Sequence, residues 1–106
     1  MPGFTVPENA NHLKQIISSN KYVVIDFTAT WCGPCRMITP ILERLSVQYE
    51  NVVFVKVDVD ELSDVAQEYG VRAMPTLFFL NDGIKVSDIV GANPGAIENN
   101  LANLVA

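Results

Sequence analysis

Apolar residues recur along this chain in two rhythms, one suited to amphipathic helices and one to buried strands. Residues 4–6 predict a short strand, and residues 8–19 a helix with Ala10, Leu13, Ile16 and Ile17 on one face. Residues 22–27 are β-branched and almost continuously apolar, as a central strand covered on both faces should be. Residues 34–49 predict a long helix with Met37, Ile38, Ile41, Leu42, Leu45 and Tyr49 inward, kinked at Pro40 because its ring obstructs the carbonyl of Arg36. A second buried strand is expected over residues 52–59. Leu62, Val65, Ala66 and Tyr69 then fall at helical spacing before Gly70, which suits a C-terminal cap. Residues 76–80 and 84–90 flank Asn81-Asp82-Gly83, a hairpin signal. Asn93-Pro94 places a capping side chain before a proline at the first helical position, and Ile97, Leu101, Leu104 and Val105 supply the last helix's apolar face.

The order βαβαβαββα predicts an α/β domain built on a mixed sheet with helices on both faces. Loops that carry chemistry then belong at the carboxyl ends of the parallel strands, which is where residues 28–35 fall. With 106 residues, one domain spanning 1–106 is expected, large enough for a hydrophobic core. Charge narrows the partners. Seven basic against twelve acidic residues leave a net charge of −5 with no basic cluster, which argues against nucleic-acid binding. No apolar run approaches the roughly 18 residues needed to cross a bilayer, and Met1-Pro2-Gly3-Phe4 opens no leader pattern, so a soluble cytoplasmic monomer without membrane partners is expected.

Both cysteines lie in Trp31-Cys32-Gly33-Pro34-Cys35. As a structural staple the pair is poor, because closing so short a loop contributes only about 1.9 kcal/mol. A zinc site needs four ligands, yet the chain has no third cysteine and His12 is its only histidine. Haem attachment requires a histidine where Arg36 stands. Thiol chemistry remains. Cys32 falls at the exposed start of a helix, where unpaired backbone N–H groups favour a thiolate, and is the candidate nucleophile. Cys35, one turn further in and shielded, is the candidate resolving thiol. Pro34 stiffens the loop without costing a hydrogen bond, and Gly33 lets another backbone approach.

Trp31-Cys32-Gly33-Pro34-Cys35 between a buried strand and a proline-containing helix, with Met74-Pro75-Thr76 entering a strand about forty residues later, closely resembles the thioredoxin family along essentially the whole chain. The resemblance implies the thioredoxin fold, a central mixed five-stranded sheet flanked by four helices. It implies protein-disulfide reduction with Cys32 and Cys35 as the redox pair and no bound cofactor. Regeneration would come from an NADPH-dependent thioredoxin reductase, and disulfide-containing proteins such as peroxiredoxins would be the clients. It further assigns Asp26 as the buried carboxylate that manages the proton of Cys35, Lys56 as the lysine beside it, and Pro75 as a cis-proline against the active-site loop. Trp31, Gly33, Pro34, Met74, Pro75, Gly91 and Ala92 match the family's apolar docking rim. Thr28 departs from the tryptophan of many members, and Arg36 replaces the commoner lysine. The runs Ala73-Met74-Pro75-Thr76 and Val90-Gly91-Ala92-Asn93-Pro94 look most like fungal cytosolic members.

Residue chemistry qualifies these assignments. Apolar neighbours Val23, Val24, Ile25 and Phe27 predict burial of Asp26, and burial together with a nearby thiolate should raise its pKa. Lys56 pulls the other way or simply snorkels to water. His12 and the acidic run Asp58, Asp60, Glu61 and Asp64 read as solvated surface. Two rival functions remain open: a disulfide oxidase or isomerase on the same fold, and a redox-inert binding module that uses only the apolar rim.

Overall fold

In the computed structural model, which describes residues 3–106, the elements follow as β1 (Phe4–Thr5), α1 (Ala10–Ser19), β2 (Tyr22–Thr28), α2 (Gly33–Gln48), β3 (Val52–Asp58), α3 (Ser63–Glu68), β4 (Thr76–Asn81), β5 (Ile84–Val90) and α4 (Pro94–Leu104). Met1 and Pro2, the first half of the Met1-Pro2-Gly3-Phe4 opening, lie outside the described residues. The sheet order is β1-β3-β2-β4-β5. β1, β3 and β2 run parallel, and β4 and β5 are each antiparallel to their neighbour. The mixed five-stranded sheet flanked by four helices is the thioredoxin fold. No helix of the described residues is long and apolar enough to cross a membrane.

β2 sits at the centre because its side chains are apolar in both directions, and residues 23–28 are all buried. Successive side chains of a strand point to opposite faces. Val24 therefore joins Ile38, Leu42, Leu45, Phe79, Ile97 and Leu101 on the face covered by α2 and α4. Val23, Ile25 and Phe27 join Leu13, Ile16, Val57 and Val65 on the opposite face, under α1 and α3. By the same alternation, Asp26 is aimed into the α2 face, where apolar side chains would otherwise belong. That single charged residue in β2 is the first sign of a site.

Local signals set most element ends. Asn9 and Asn93 cap α1 and α4, their side-chain oxygens accepting from the N–H groups of His12 at 2.8 Å and Ala96 at 3.1 Å. Asn93→Ala is expected to cost about 1 kcal/mol, read as a lowered urea midpoint, whereas Asn93→Ser should cost little. The β4–β5 turn has positive φ at both central residues, 52° at Asp82 and 80° at Gly83, the geometry a tight hairpin demands. Leu62 and Tyr69 flank α3 and are not inside it, and Gly70 leaves it at φ 70°. Val6, Val59 and Val105 likewise fall just outside the elements predicted for them. Pro40 lies inside the continuous helix α2.

One inward assignment is wrong. Met37 is 71% exposed, while the buried stripe of α2 runs through Cys35, Ile38, Leu42, Leu45 and Ser46. Met37 lies about 100° around the helix from Ile38, and the two-helix layer of α2 and α4 covers only the stripe centred on Ile38 and Leu42. Ile41 and Tyr49 are half-buried at its margins.

Candidate active site

The site forms where β2 ends and α2 begins. Cys32 is the N-cap of α2 and has extended backbone; its sulfur accepts a hydrogen bond from the N–H of Cys35 at 3.2 Å. This is the position of a capping oxygen, taken here by sulfur, with the helix's unpaired N–H groups directed at it. A thiolate at Cys32 gains from both the hydrogen bond and the positive end of the helix. Pro34 occupies the first turn, where its missing N–H removes no helical bond. Cys32 and Cys35 are joined by a disulfide, their Cα atoms 5.3 Å apart.

Cys32 is less open than a helix start suggests. It is only 5% exposed against 1% for Cys35, because the pair packs with Ala29, Val59 and Met74. The cover is a second turn brought in from the start of β4. Met74-Pro75 is a cis peptide, and the carbonyl oxygen of Met74 lies 3.7 Å from the sulfur of Cys32. A disulfide sulfur carries no proton, so this is a contact in the oxidised protein.

The residues matched to the docking rim surround this point unequally. Trp31 is 64% exposed and Pro34 is exposed, while Gly33, Met74, Gly91 and Ala92 are half-buried. Pro75 is buried. Its carbonyl accepts the N–H of Gly91 at 2.8 Å, which ties the β4 entrance to the β5 exit. Gly91 makes that bond at φ 105°, a backbone region that side chains with a Cβ rarely adopt.

Asp26 is 2% exposed, and neither carboxylate oxygen has a hydrogen-bond partner. Burial pushes its pKa from 3.8 up to about 7, against a smaller opposing pull from the Lys56 ammonium. Asp26 and Lys56 are register partners across β2 and β3, so both project from one face of the sheet. They form no ion pair; the ammonium of Lys56 lies over the ring of Phe4, 5.5 Å from its centre. Desolvation therefore dominates, since charge attraction across a separated pair weakens while the burial cost does not.

Two contacts were illegible in the residue pattern. The indole N–H of Trp31 donates to a carboxylate oxygen of Asp60 at 2.8 Å, although Asp60 reads as a solvated acid. The guanidinium of Arg36 donates to the carbonyl of Thr30, also at 2.8 Å. An acid and an indole 29 positions apart carry no periodic signal. Only the meeting of the β2–α2 and β3–α3 loops, joined by Val59 N–H to Thr28 carbonyl at 2.9 Å, brings them together.

Comparison with known proteins agrees with this geometry. The thioredoxin family model matches residues 4–103. Thioredoxin-1 of Saccharomyces cerevisiae is 50% identical over 95 residues, covering 90% of this chain and 92% of its own. Thioredoxin-2 of Pyricularia oryzae is 53% identical over 90 residues, which is 85% of this chain but 53% of that longer protein. The crystal structure of oxidised mitochondrial thioredoxin 3 from Saccharomyces cerevisiae superposes with a TM-score of 0.90 at 45% identity, covering 94% of each chain. Thioredoxins are protein-disulfide oxidoreductases that work with a thioredoxin reductase and disulfide clients. With the family model matched from residue 4 to residue 103 and a relative 50% identical over most of both chains, the chain belongs to the thioredoxin family.

Proposed function

We propose that Cys32 is the attacking thiol and Cys35 the resolving thiol of a general protein-disulfide reductase. The observation that carries this division is the sulfur of Cys32 at the N-cap of α2, accepting the N–H of Cys35. In the reduced protein the Cys32 thiolate attacks one sulfur of a client disulfide. A mixed disulfide forms, and the client's other sulfur leaves as thiolate. Cys35 then gives up its proton and attacks the Cys32 sulfur, which releases the second client thiol and closes the Cys32–Cys35 disulfide. Two electrons have moved to the client. Asp26 takes the proton of Cys35, a role supported by a pKa of about 7, near the pH at which the exchange must run. Lys56 tunes that acid through its charge alone.

The client is held on the surface around Trp31, Gly33, Pro34, Met74, Gly91 and Ala92, with Pro75 shaping its backbone. Thioredoxin reductase with NADPH returns the disulfide to dithiol, so the chain itself holds no cofactor in this reading. Peroxiredoxin-type disulfides are suitable clients, and the chain acts as a monomer. A reducing compartment such as the cytoplasm fits the chemistry, because the pair serves as a donor only where a reductase keeps it reduced.

Turnover of insulin disulfides in the presence of NADPH and thioredoxin reductase tests the reading. NADPH consumption should depend on this chain and on both cysteines. A binding module would leave NADPH untouched. An oxidase or isomerase would equilibrate with glutathione at a potential too oxidising to sustain insulin reduction.

A further inference from the structure

We propose that Arg36 is a positioning residue for client engagement: its guanidinium anchors the Thr30–Trp31 segment, and with it the exposed indole beside the redox pair. The proposal rests on Cys32 being the sulfur that clients meet. Trp31 is 64% exposed, so packing alone does not immobilise its ring. Its orientation depends on polar tethers. The indole N–H reaches Asp60, and Asp60 is itself held by its backbone N–H donating to the carboxylate of Asp58 at 2.8 Å. That fixes the far edge of the ring but not the backbone that bears it.

The backbone tether comes from α2. Just before Thr30, the Ala29 carbonyl accepts the Cys32 N–H at 3.2 Å, and the Thr28 carbonyl accepts the Val59 N–H at 2.9 Å. The Thr30 carbonyl turns outward and accepts from Arg36 at 2.8 Å. Arg36 begins from a rigid base, since its own N–H bonds the Cys32 carbonyl at 3.3 Å in the first turn of the helix. The side chain thus closes a ring around residues 31–35, with the redox pair inside it.

The charge of Arg36 has no competing use. Among the described residues it forms no ion pair within 4.0 Å; the two salt bridges present join Arg44 to Glu98 and Lys85 to Asp88. Thr30, Arg36, Lys56, Asp58 and Glu61 share the wall of one open depression of about 410 Å³. Lys56, Asp58 and Glu61 are the other charged residues on that wall, and the bond the guanidinium makes is to a neutral carbonyl. A cationic donor to a carbonyl is stronger than a neutral one, and Arg36 spends that strength on the segment carrying Trp31.

Trp31 is the only tryptophan, so intrinsic fluorescence reads this indole alone. The experiment compares the reduced wild-type protein with Arg36→Met, which keeps an unbranched apolar stem and loses every donor, and Arg36→Lys, which restores a cationic donor. Acrylamide quenching of Trp31 should rise about twofold in Arg36→Met. Its single-turnover rate with insulin should fall about threefold, the scale of one exposed charged contact. Its rate with a small neutral disulfide, 4,4′-dipyridyl disulfide, should stay within about 1.5-fold, because that reagent needs only the Cys32 sulfur. Arg36→Lys should recover most of both losses. Unchanged quenching and an unchanged insulin rate in Arg36→Met would overturn the proposal. So would equal slowing toward both disulfides, which would assign the effect to charge acting on Cys32. If the wild-type protein reduces neither disulfide, the reductase reading fails, and the quenching comparison still decides whether Arg36 tethers the indole.

Discussion

Cys35→Ser is expected to stop turnover and to accumulate covalent complexes with client proteins, whereas Cys32→Ser should stop turnover and accumulate almost none. Both losses should be on the order of 10³-fold or more, because each removes a bond-forming sulfur and serine does not exchange with disulfides. The asymmetry arises from position. The sulfur of Cys32 accepts the N–H of Cys35 at the start of α2 and is the one that touches the Met74 carbonyl, while Cys35 is 1% exposed inside the helix's first turn. With exposures of only 5% and 1%, hydrogen bonding and not solvent access is what separates the two thiols. Trapping is measured by non-reducing electrophoresis of each variant after incubation with a mixture of oxidised client proteins. Equal trapping by both variants would reverse the division of roles.

Asp26→Asn is expected to make the protein more stable at pH 8 and slower at resolving the mixed disulfide. In the folded chain the carboxyl has a pKa of about 7, raised by burial; in the unfolded chain it returns to its ordinary 3.8. The native state therefore holds a proton between those values that the unfolded state has lost. Stability from this residue is fully present below about pH 4 and disappears as pH rises through 7, a loss of about 4 kcal/mol when complete. The amide escapes that penalty but stays buried with few partners, so a gain of about 2 to 4 kcal/mol at pH 8 is expected. Urea midpoints from pH 4 to pH 8 should converge at the acid end and separate toward the alkaline end. Resolution at pH 7 should slow on the order of 10²-fold, since asparagine accepts no proton. A variant that is less stable at pH 8, or that resolves as fast as the wild type, would make Asp26 a structural residue.

Local chemistry was largely legible before folding. The capping asparagines, the Asp82-Gly83 turn and the apolar run of β2 act over a few residues, so a one-dimensional pattern contains their cause. The same holds for the Cys32–Cys35 spacing and for Asp26, whose apolar neighbours in β2 announce its burial. What escaped was what covers each element. Met37 has the hydrophobicity of a core residue and faces solvent, because the position of α2 over the sheet selects a narrower stripe than periodicity implies. Cys32 was expected to be open and is covered, because the Met74–Pro75 turn arrives from 42 positions away.

The ionic chemistry divides along the same line. That Asp26 is a misplaced acid is written in its neighbours, but the size of its pKa shift depends on two facts outside β2. Neither carboxylate oxygen finds a donor, and Lys56, though its register partner, carries its ammonium to Phe4. Asp60 and Arg36 look like solvated charges in the chain and become the two tethers of the Trp31 segment in space. Propensity, capping and hydrophobic alternation act between near neighbours and are encoded where they act. Desolvation and hydrogen bonding across loops depend on which distant surfaces meet, and the packing of α2 and the β4 entrance against the end of β2 decides that here.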